Sequence, residues 1–125
     1  MTDENKAPNV ELRVFKPTLH HDLLEAAKSS NPLLAMIAEL PEFQQQLEEQ
    51  TELMGIVNLR RRLSVSDEMV DKVVEDIMET ASLLSMLFVS NLKLSRETGM
   101  RTVYIDTPDG KLQITYTPPL GRGKK

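Results

Sequence analysis

Alternating hydrophobic and polar positions near the N-terminus predict a β-strand. Val10, Leu12 and Val14 share one face of the segment 10–15, and Glu11 and Arg13 separate them. A period of two is typical of a half-buried strand, so we predict a strand there. The polar residues that precede it, up to residue 9, are predicted to form a disordered arm.

Two short helices are predicted after this strand. The first covers residues 19–28, where the apolar positions recur at helical spacing. Asn31 is a favourable N-cap, and Pro32 is favourable as the first residue of a helix because its missing N–H needs no partner there. We therefore predict a second short helix over residues 32–39.

Two longer stretches of helical periodicity follow. In residues 42–62 the stripe consists of Phe43, Leu47, Met54 and Val57, and it is widened by Leu53, Ile56 and the following Leu63. The next stripe begins after Ser66 and extends to about Glu97; it includes Val70, Val73, Ile77, Leu84, Leu87 and Leu94. Together they predict a long antiparallel helical hairpin. Apolar residues nearly encircle the second helix from Ala81 onward, so this part is expected to be buried in the fold or against a partner.

A β-hairpin is predicted at the C-terminal end, with strands at 102–106 and 111–116. The turn between them contains Pro108 and Gly110, which favour tight turns. The N-terminal strand can complete a small antiparallel sheet, and an edge of such a sheet can pair with another chain. The predicted fold is thus a helix-dominated α+β domain, residues 10–117, followed by a flexible basic tail, residues 118–125.

Composition excludes several kinds of chemistry. The 125 residues include no Cys, which excludes disulfides, thiolate nucleophiles and cysteine metal sites. Aromatic residues make up 4%, which disfavours a base-stacking nucleic-acid platform. No stretch is long and apolar enough to predict a membrane span, and the N-terminus lacks the apolar segment of a signal peptide. A cytoplasmic protein without a cofactor or metal is therefore the expectation.

The charges are unevenly distributed along the chain. The net charge is −4, but residues 31–80 carry eleven acids and four bases, whereas residues 81–125 carry three acids and seven bases. Four acids spaced four residues apart predict an acidic ridge on one helix: Asp67, Asp71, Glu75 and Glu79. A solvated helix face is the first interpretation of this ridge, a docking face for a basic partner is the second, and a metal cluster is the third.

The densest basic cluster is Arg60–Arg62. In the last turn of a helix, these cations complement the helix dipole. They could also contact phosphates of a nucleic acid, or pair with the acidic ridge.

Histidines occur only at positions 20 and 21, near Asp22 and Glu25. Adjacent residues of a helix point about 100° apart, so both imidazoles cannot readily bind one ion. His21 and Glu25 could supply two ligands, fewer than the usual three or four of a zinc site. An exposed first helical turn is the favoured interpretation, and no catalytic residue is predicted.

These patterns favour a non-catalytic protein–protein interaction or assembly protein. It would self-associate as a homo-oligomer or dock on a larger complex, such as a viral or other large assembly. The predicted contact residues are Leu84, Leu87 and Phe88 with the acidic ridge. The alternative is a nucleic-acid-associated regulator that uses Arg60–Arg62 and the basic C-terminal third, which the net negative charge disfavours.

Overall fold

Five antiparallel strands and five helices make up the described part of the chain. The structure is a computed structural model that describes residues 8–118, apart from residues 19, 89, 98 and 109 and the side chain of residue 67. The strands are β1 (Asn9–Phe15), β2 (Leu53–Asn58), β3 (Asn91–Glu97), β4 (Met100–Thr107) and β5 (Gly110–Thr117). The helices are α1 (His21–Ser30), α2 (Pro32–Ala38), α3 (Pro41–Glu49), α4 (Leu59–Leu63) and α5 (Asp67–Leu87).

The strands form one sheet in the order β2-β1-β5-β4-β3, with every neighbouring pair antiparallel. β1 and β5, which come from opposite ends of the described chain, pair near the middle of this sheet. In their register Leu12 lies opposite Ile114, and on its other side Leu12 lies opposite Gly55 of β2. The sheet therefore has two edge strands, β2 and β3.

One face of the sheet carries the hydrophobic core. In β1, β2, β4 and β5, most residues whose side chains point to this face are buried, as expected for strands of period-two pattern that pack against a layer of helices. The core strand residues are Val10, Leu12, Val14, Leu53, Val57, Val103, Ile105, Leu112, Ile114 and Tyr116. Helices α2 and α3 pack at the β1–β2 side, and α5 packs over β3 and β4. Phe43 of α3 is fully buried in this core.

The N-cap predicted at Asn31 is present. Its side-chain oxygen accepts hydrogen bonds from the backbone N–H groups of Leu33 (2.9 Å) and Leu34 (3.3 Å). Its side-chain amide donates to the hydroxyl of Thr80, 3.2 Å away, on α5. The same residue therefore starts α2 and fastens this helix to α5.

The predicted helix over residues 42–62 is wrong, because the segment forms α3, β2 and α4. Gln50 ends α3 with a left-handed backbone, φ 59°. In β2, Leu53, Gly55 and Val57 are buried, whereas Met54 and Ile56 are exposed. Pairing with β1 along one edge of the core selects this strand alternation over the helical one.

The predicted continuation of the second helix to Glu97 is also wrong. Helix α5 ends at Leu87, and residues 91–97 form β3, which turns into β4 at Gly99, φ +82°. Gly99 therefore lies in the turn between β3 and β4. The long antiparallel helical hairpin does not form, and the helix-dominated description with a small sheet is wrong: the sheet has five strands.

The predicted N-terminal strand and C-terminal hairpin occur as β1 and the β4–β5 pair. Their bounds extend slightly beyond the predicted ones. Asn9, assigned to the predicted arm, belongs to β1, and the carbonyl of Pro8 accepts a hydrogen bond from the backbone N–H of Leu59 (2.8 Å). The rest of the arm and nearly all of the basic tail lie outside the described residues.

Candidate protein-docking edge

The two edges of the sheet differ in what covers their backbone. On β2, the side-chain amide of Gln46 forms hydrogen bonds with both the backbone N–H and the backbone C=O of Met54. Its Oε1 accepts from the N–H of Met54 at 2.8 Å, and its Nε2 donates to the carbonyl of Met54 at 3.3 Å. Because an edge strand presents backbone groups that another strand could pair with, this contact blocks the outer edge of β2 at Met54.

On β3, by contrast, no strand among the described residues pairs with the outer edge. β3 pairs with β4 on one side, and six of its seven residues are exposed while Ser95 is half-buried. Leu92 and Leu94 lie on the core side of the sheet, yet their exposed fractions are 41% and 47%. A long, exposed strand with apolar side chains is a template for pairing with another chain.

A shallow groove of about 190 Å³ runs between β3 and α5. Its lining is mostly apolar and consists of Met78, Ala81, Ser82, Leu92, Leu94, Arg96 and Val103. The groove therefore continues the apolar side of β3 toward the helix. A strand added to β3 could place its own apolar side chains there.

The end of α5 carries a second set of exposed apolar residues. Leu83, Met86 and Leu87 are 45%, 75% and 61% exposed. Of the predicted contact residues, Leu84 is fully buried in the core and is therefore unavailable to a partner, whereas Phe88 is half-buried. The encircling apolar pattern thus corresponds to one buried side and one exposed side of the helix.

The acidic ridge lies on α5. Asp71, Glu75 and Glu79 are exposed, and the side chain of Asp67 is outside the described part of the structure. Beside the ridge on the same helix, Lys72 Nζ lies 3.9 Å from a carboxylate oxygen of Asp76. This exposure agrees both with a solvated helix face and with the predicted docking face.

Arg60, Arg61 and Arg62 belong to the five-residue helix α4, where all three are exposed. The side chain of Asn58 caps this helix by accepting from the backbone N–H groups of Arg60 (3.1 Å) and Arg61 (2.9 Å). Helix α4 directly follows β2, at the side of the sheet opposite β3. The structure therefore does not bring this cluster to the β3 edge.

The two histidines occupy different environments. His20 is 2% exposed and its ring packs over Gly110, in the hairpin between β4 and β5. His21 is exposed, with Nδ1 3.7 Å from a carboxylate oxygen of Asp22, and Glu25 pairs instead with Lys28 at 3.5 Å. The imidazoles therefore do not converge on one site.

The face of the sheet opposite the core carries a cation–aromatic cluster. The ammonium of Lys111 lies 5.8 Å from the ring centroid of Phe15 and 5.5 Å from that of Tyr104. The guanidinium of Arg13 lies 5.6 Å from the Phe15 ring. Each contact contributes about 0.5–1 kcal/mol at an exposed site, so the cluster stabilises the outer face of the sheet.

In the described ranges, no group of three or more His, Asp or Glu side chains is placed to hold a metal ion. None of the described helices is long and apolar enough to cross a membrane. No protein-family model, curated protein or solved structure matches the chain. Function is therefore inferred from the geometry of this chain.

The sequence pattern does not predict β3 as a strand, although it does predict that an edge of the sheet can pair with another chain. The signal was present in residues 91–97, where Leu92 and Leu94 alternate with Lys93 and Ser95. This segment follows a strongly helical pattern, and Leu94 also continues the heptad stripe, so the sequence predicts a continuation of the helix there. Only the pairing with β4 separates the two interpretations.

Proposed function

We propose that this protein is a non-catalytic protein–protein interaction or assembly protein that binds an extended strand of its partner along β3. The observation that carries the proposal is the open, partly apolar β3 edge. A partner strand would pair with the outward backbone N–H and C=O groups of β3, each hydrogen bond contributing about 0.5–1.5 kcal/mol net. Alternate partner side chains would enter the groove beside α5, which supplies selectivity.

The contrast between the two edges supports this assignment. At β2 the side chain of Gln46 already holds the backbone of Met54, so a partner strand would first have to displace it. At β3 the apolar residues Leu92 and Leu94 remain exposed to water. A partner that buries them would gain binding free energy, because removing apolar surface from water is favourable. β3 is therefore the favoured edge for strand addition.

Site-specific photocrosslinking tests the docking edge. Leu94 is replaced by photoreactive p-benzoylphenylalanine in one variant, and the exposed residue Glu48 of α3 is replaced in the matched control. We expect polypeptide adducts at position 94 to exceed those at position 48 severalfold, because a bound strand would lie against β3. Mass spectrometry of the adduct identifies the bound segment and whether it belongs to this chain or another.

The crosslinking test includes a control for folding and an outcome that would contradict the proposal. Both variants must retain the circular dichroism spectrum and thermal midpoint of the unmodified protein. Equal yields at the two positions would show random collision and would remove β3 as the docking edge.

A second candidate function, binding of nucleic acid, is favoured by one observation: Arg60–Arg62 form an exposed basic cluster on α4. Arginine contacts phosphate oxygens with paired hydrogen bonds, so three adjacent arginines could hold a nucleic-acid backbone. The net charge of −4 opposes such binding at long range. The cluster therefore ranks below the β3 edge.

A salt-dependent titration tests this second candidate. Duplex DNA is titrated into the wild-type protein and into a variant with Arg60→Ala, Arg61→Ala and Arg62→Ala. If the cluster binds phosphates, the variant should lower the slope of log K against log salt by up to about 2.7, since each phosphate contact contributes about 0.9. Lys28→Ala, which removes one positive charge from α1, should leave the slope unchanged. Absence of binding at low ionic strength would eliminate the candidate.

A further inference from the structure

We infer that the strand bound at β3 is β3 of a second copy of this chain, paired antiparallel across a two-fold axis so that two five-stranded sheets become one. This inference rests on the proposed function and names the partner of the same edge. It is carried by the charge pattern of β3, which complements itself when the strand is reversed.

Symmetry restricts the possible registers. An antiparallel pair that continues a sheet has its two-fold axis perpendicular to the sheet, so directly opposite residues lie on the same face. In a symmetric register the axis must therefore pass beside one residue, which lies opposite its own copy. A centre at Lys93 or at Arg96 would place two like charges directly opposite each other, which is destabilising.

The register centred on Ser95 has the best complementarity. It places Lys93 opposite Glu97 of the partner subunit, and the same pair recurs on the other side of the axis. Both side chains are exposed, on the face of the sheet opposite the core, so they can reach across the new strand pair. A centre at Leu94 would instead place Lys93 opposite Ser95 of the partner subunit, without an ion pair.

The core side of the strand is also compatible with this register. Leu94 would lie opposite Arg96 of the partner subunit, whose methylene stem can cover the leucine while its guanidinium remains in water. Leu94 is 47% exposed in the single chain, so this contact would bury apolar surface that is now in solvent. Both faces of β3 thus gain contacts in one register.

Charge reversal and mixing test the inference. Lys93→Glu and Glu97→Lys are made separately and together, and association is measured by sedimentation equilibrium at about 0.15 M salt, where the Debye length is about 8 Å. In each single variant both cross-strand pairs become repulsive, so we expect the dimer Kd to rise about tenfold. The double variant exchanges the two charges and should restore the wild-type Kd.

The mixture of the two single variants is the sharpest measurement. A chain with Lys93→Glu would face a chain with Glu97→Lys through two attractive pairs, so the mixture should dimerise like the wild type although neither variant does so alone. Lys16→Glu is the charge-matched control: Lys16 is exposed after β1, which two strands separate from β3, and this change should leave the Kd unchanged. Circular dichroism establishes that every variant is folded.

The outcomes separate the partner from the docking edge. A wild-type dimer that ignores the charge reversals would overturn the β3 register, because the copies would associate elsewhere. A wild-type chain that stays monomeric at millimolar concentration would overturn the second copy as partner. In that case, selective crosslinking from position 94 to a different polypeptide would still support the proposed function. If no selective crosslink formed at position 94, both the second copy as partner and the proposed function would be overturned.

Discussion

Replacing Gly110 with alanine should lower the free energy of unfolding by about 1–3 kcal/mol, because there is no room for a side chain at this position. A Cβ at Gly110 would overlap Nε2 of His20 and lie 2.6 Å from Cδ2 and 2.7 Å from Cε1 of the same ring. His20 is 2% exposed, so its ring cannot move into solvent without opening the junction between α1 and the β4–β5 hairpin. Urea denaturation measures the change.

A double-mutant cycle identifies the cause of this loss. His20→Ala removes the ring and should be destabilising alone, because it leaves a cavity next to Gly110. In the double variant the new Cβ would occupy part of that cavity, so the two changes should cost less together than their sum. We expect a coupling free energy of about 0.5–3 kcal/mol, as is usual for residues in contact. Strict additivity would contradict the packing of His20 on Gly110.

Replacing Gly55 with alanine should also lower the free energy of unfolding by about 1–3 kcal/mol. An added Cβ would lie 2.6 Å from Cγ2 of Ile37 and 3.1 Å from Cδ2 of Phe43, both fully buried. It would also lie 3.3 Å from the carbonyl oxygen of Ile37, which belongs to the backbone of α2. The absence of a side chain at Gly55 therefore lets α2 and α3 approach β2 closely.

The sign of the Gly55 result distinguishes the two interpretations of this segment. In an exposed helix interior, glycine to alanine would raise stability by about 1 kcal/mol. In β2 the same change must displace packed side chains, so it should lower stability. Ile56→Ala, at the neighbouring exposed position on the other face, should change the free energy of unfolding by much less. A stabilised Gly55→Ala variant would contradict the strand.

Elements with a strong local signal were predictable from the sequence. The N-cap at Asn31 depends on a side chain and the two backbone N–H groups that follow it, so it forms from local contacts. The C-terminal hairpin likewise depends on a short turn between two alternating segments. Periodicity alone does not separate Leu84 from Leu87, two predicted contact residues of α5: Leu84 lies in the core, whereas Leu87 is exposed.

The strands β2 and β3 could not be predicted with the same certainty, because their local patterns fit two structures. Leu53, Ile56 and Val57 lie at spacings that suit one face of a helix, yet Leu53 and Val57 also lie on one face of a strand. Leu94 has the same ambiguity. In both cases the choice depends on a partner strand: β1 pairs with β2 from far away in the chain, and β4 pairs with β3 across a turn at Gly99.

The sequence by itself determined the N-cap at Asn31, the N-terminal strand, the C-terminal hairpin and the uneven charge distribution, since each depends on residues close together in the chain. Only the tertiary structure decided that the described sheet has five strands, that Gln46 blocks the β2 edge, and that no described strand pairs with the outer edge of β3. The physical reason is that a strand gains most of its stability from a neighbour, and the position of that neighbour depends on the whole chain.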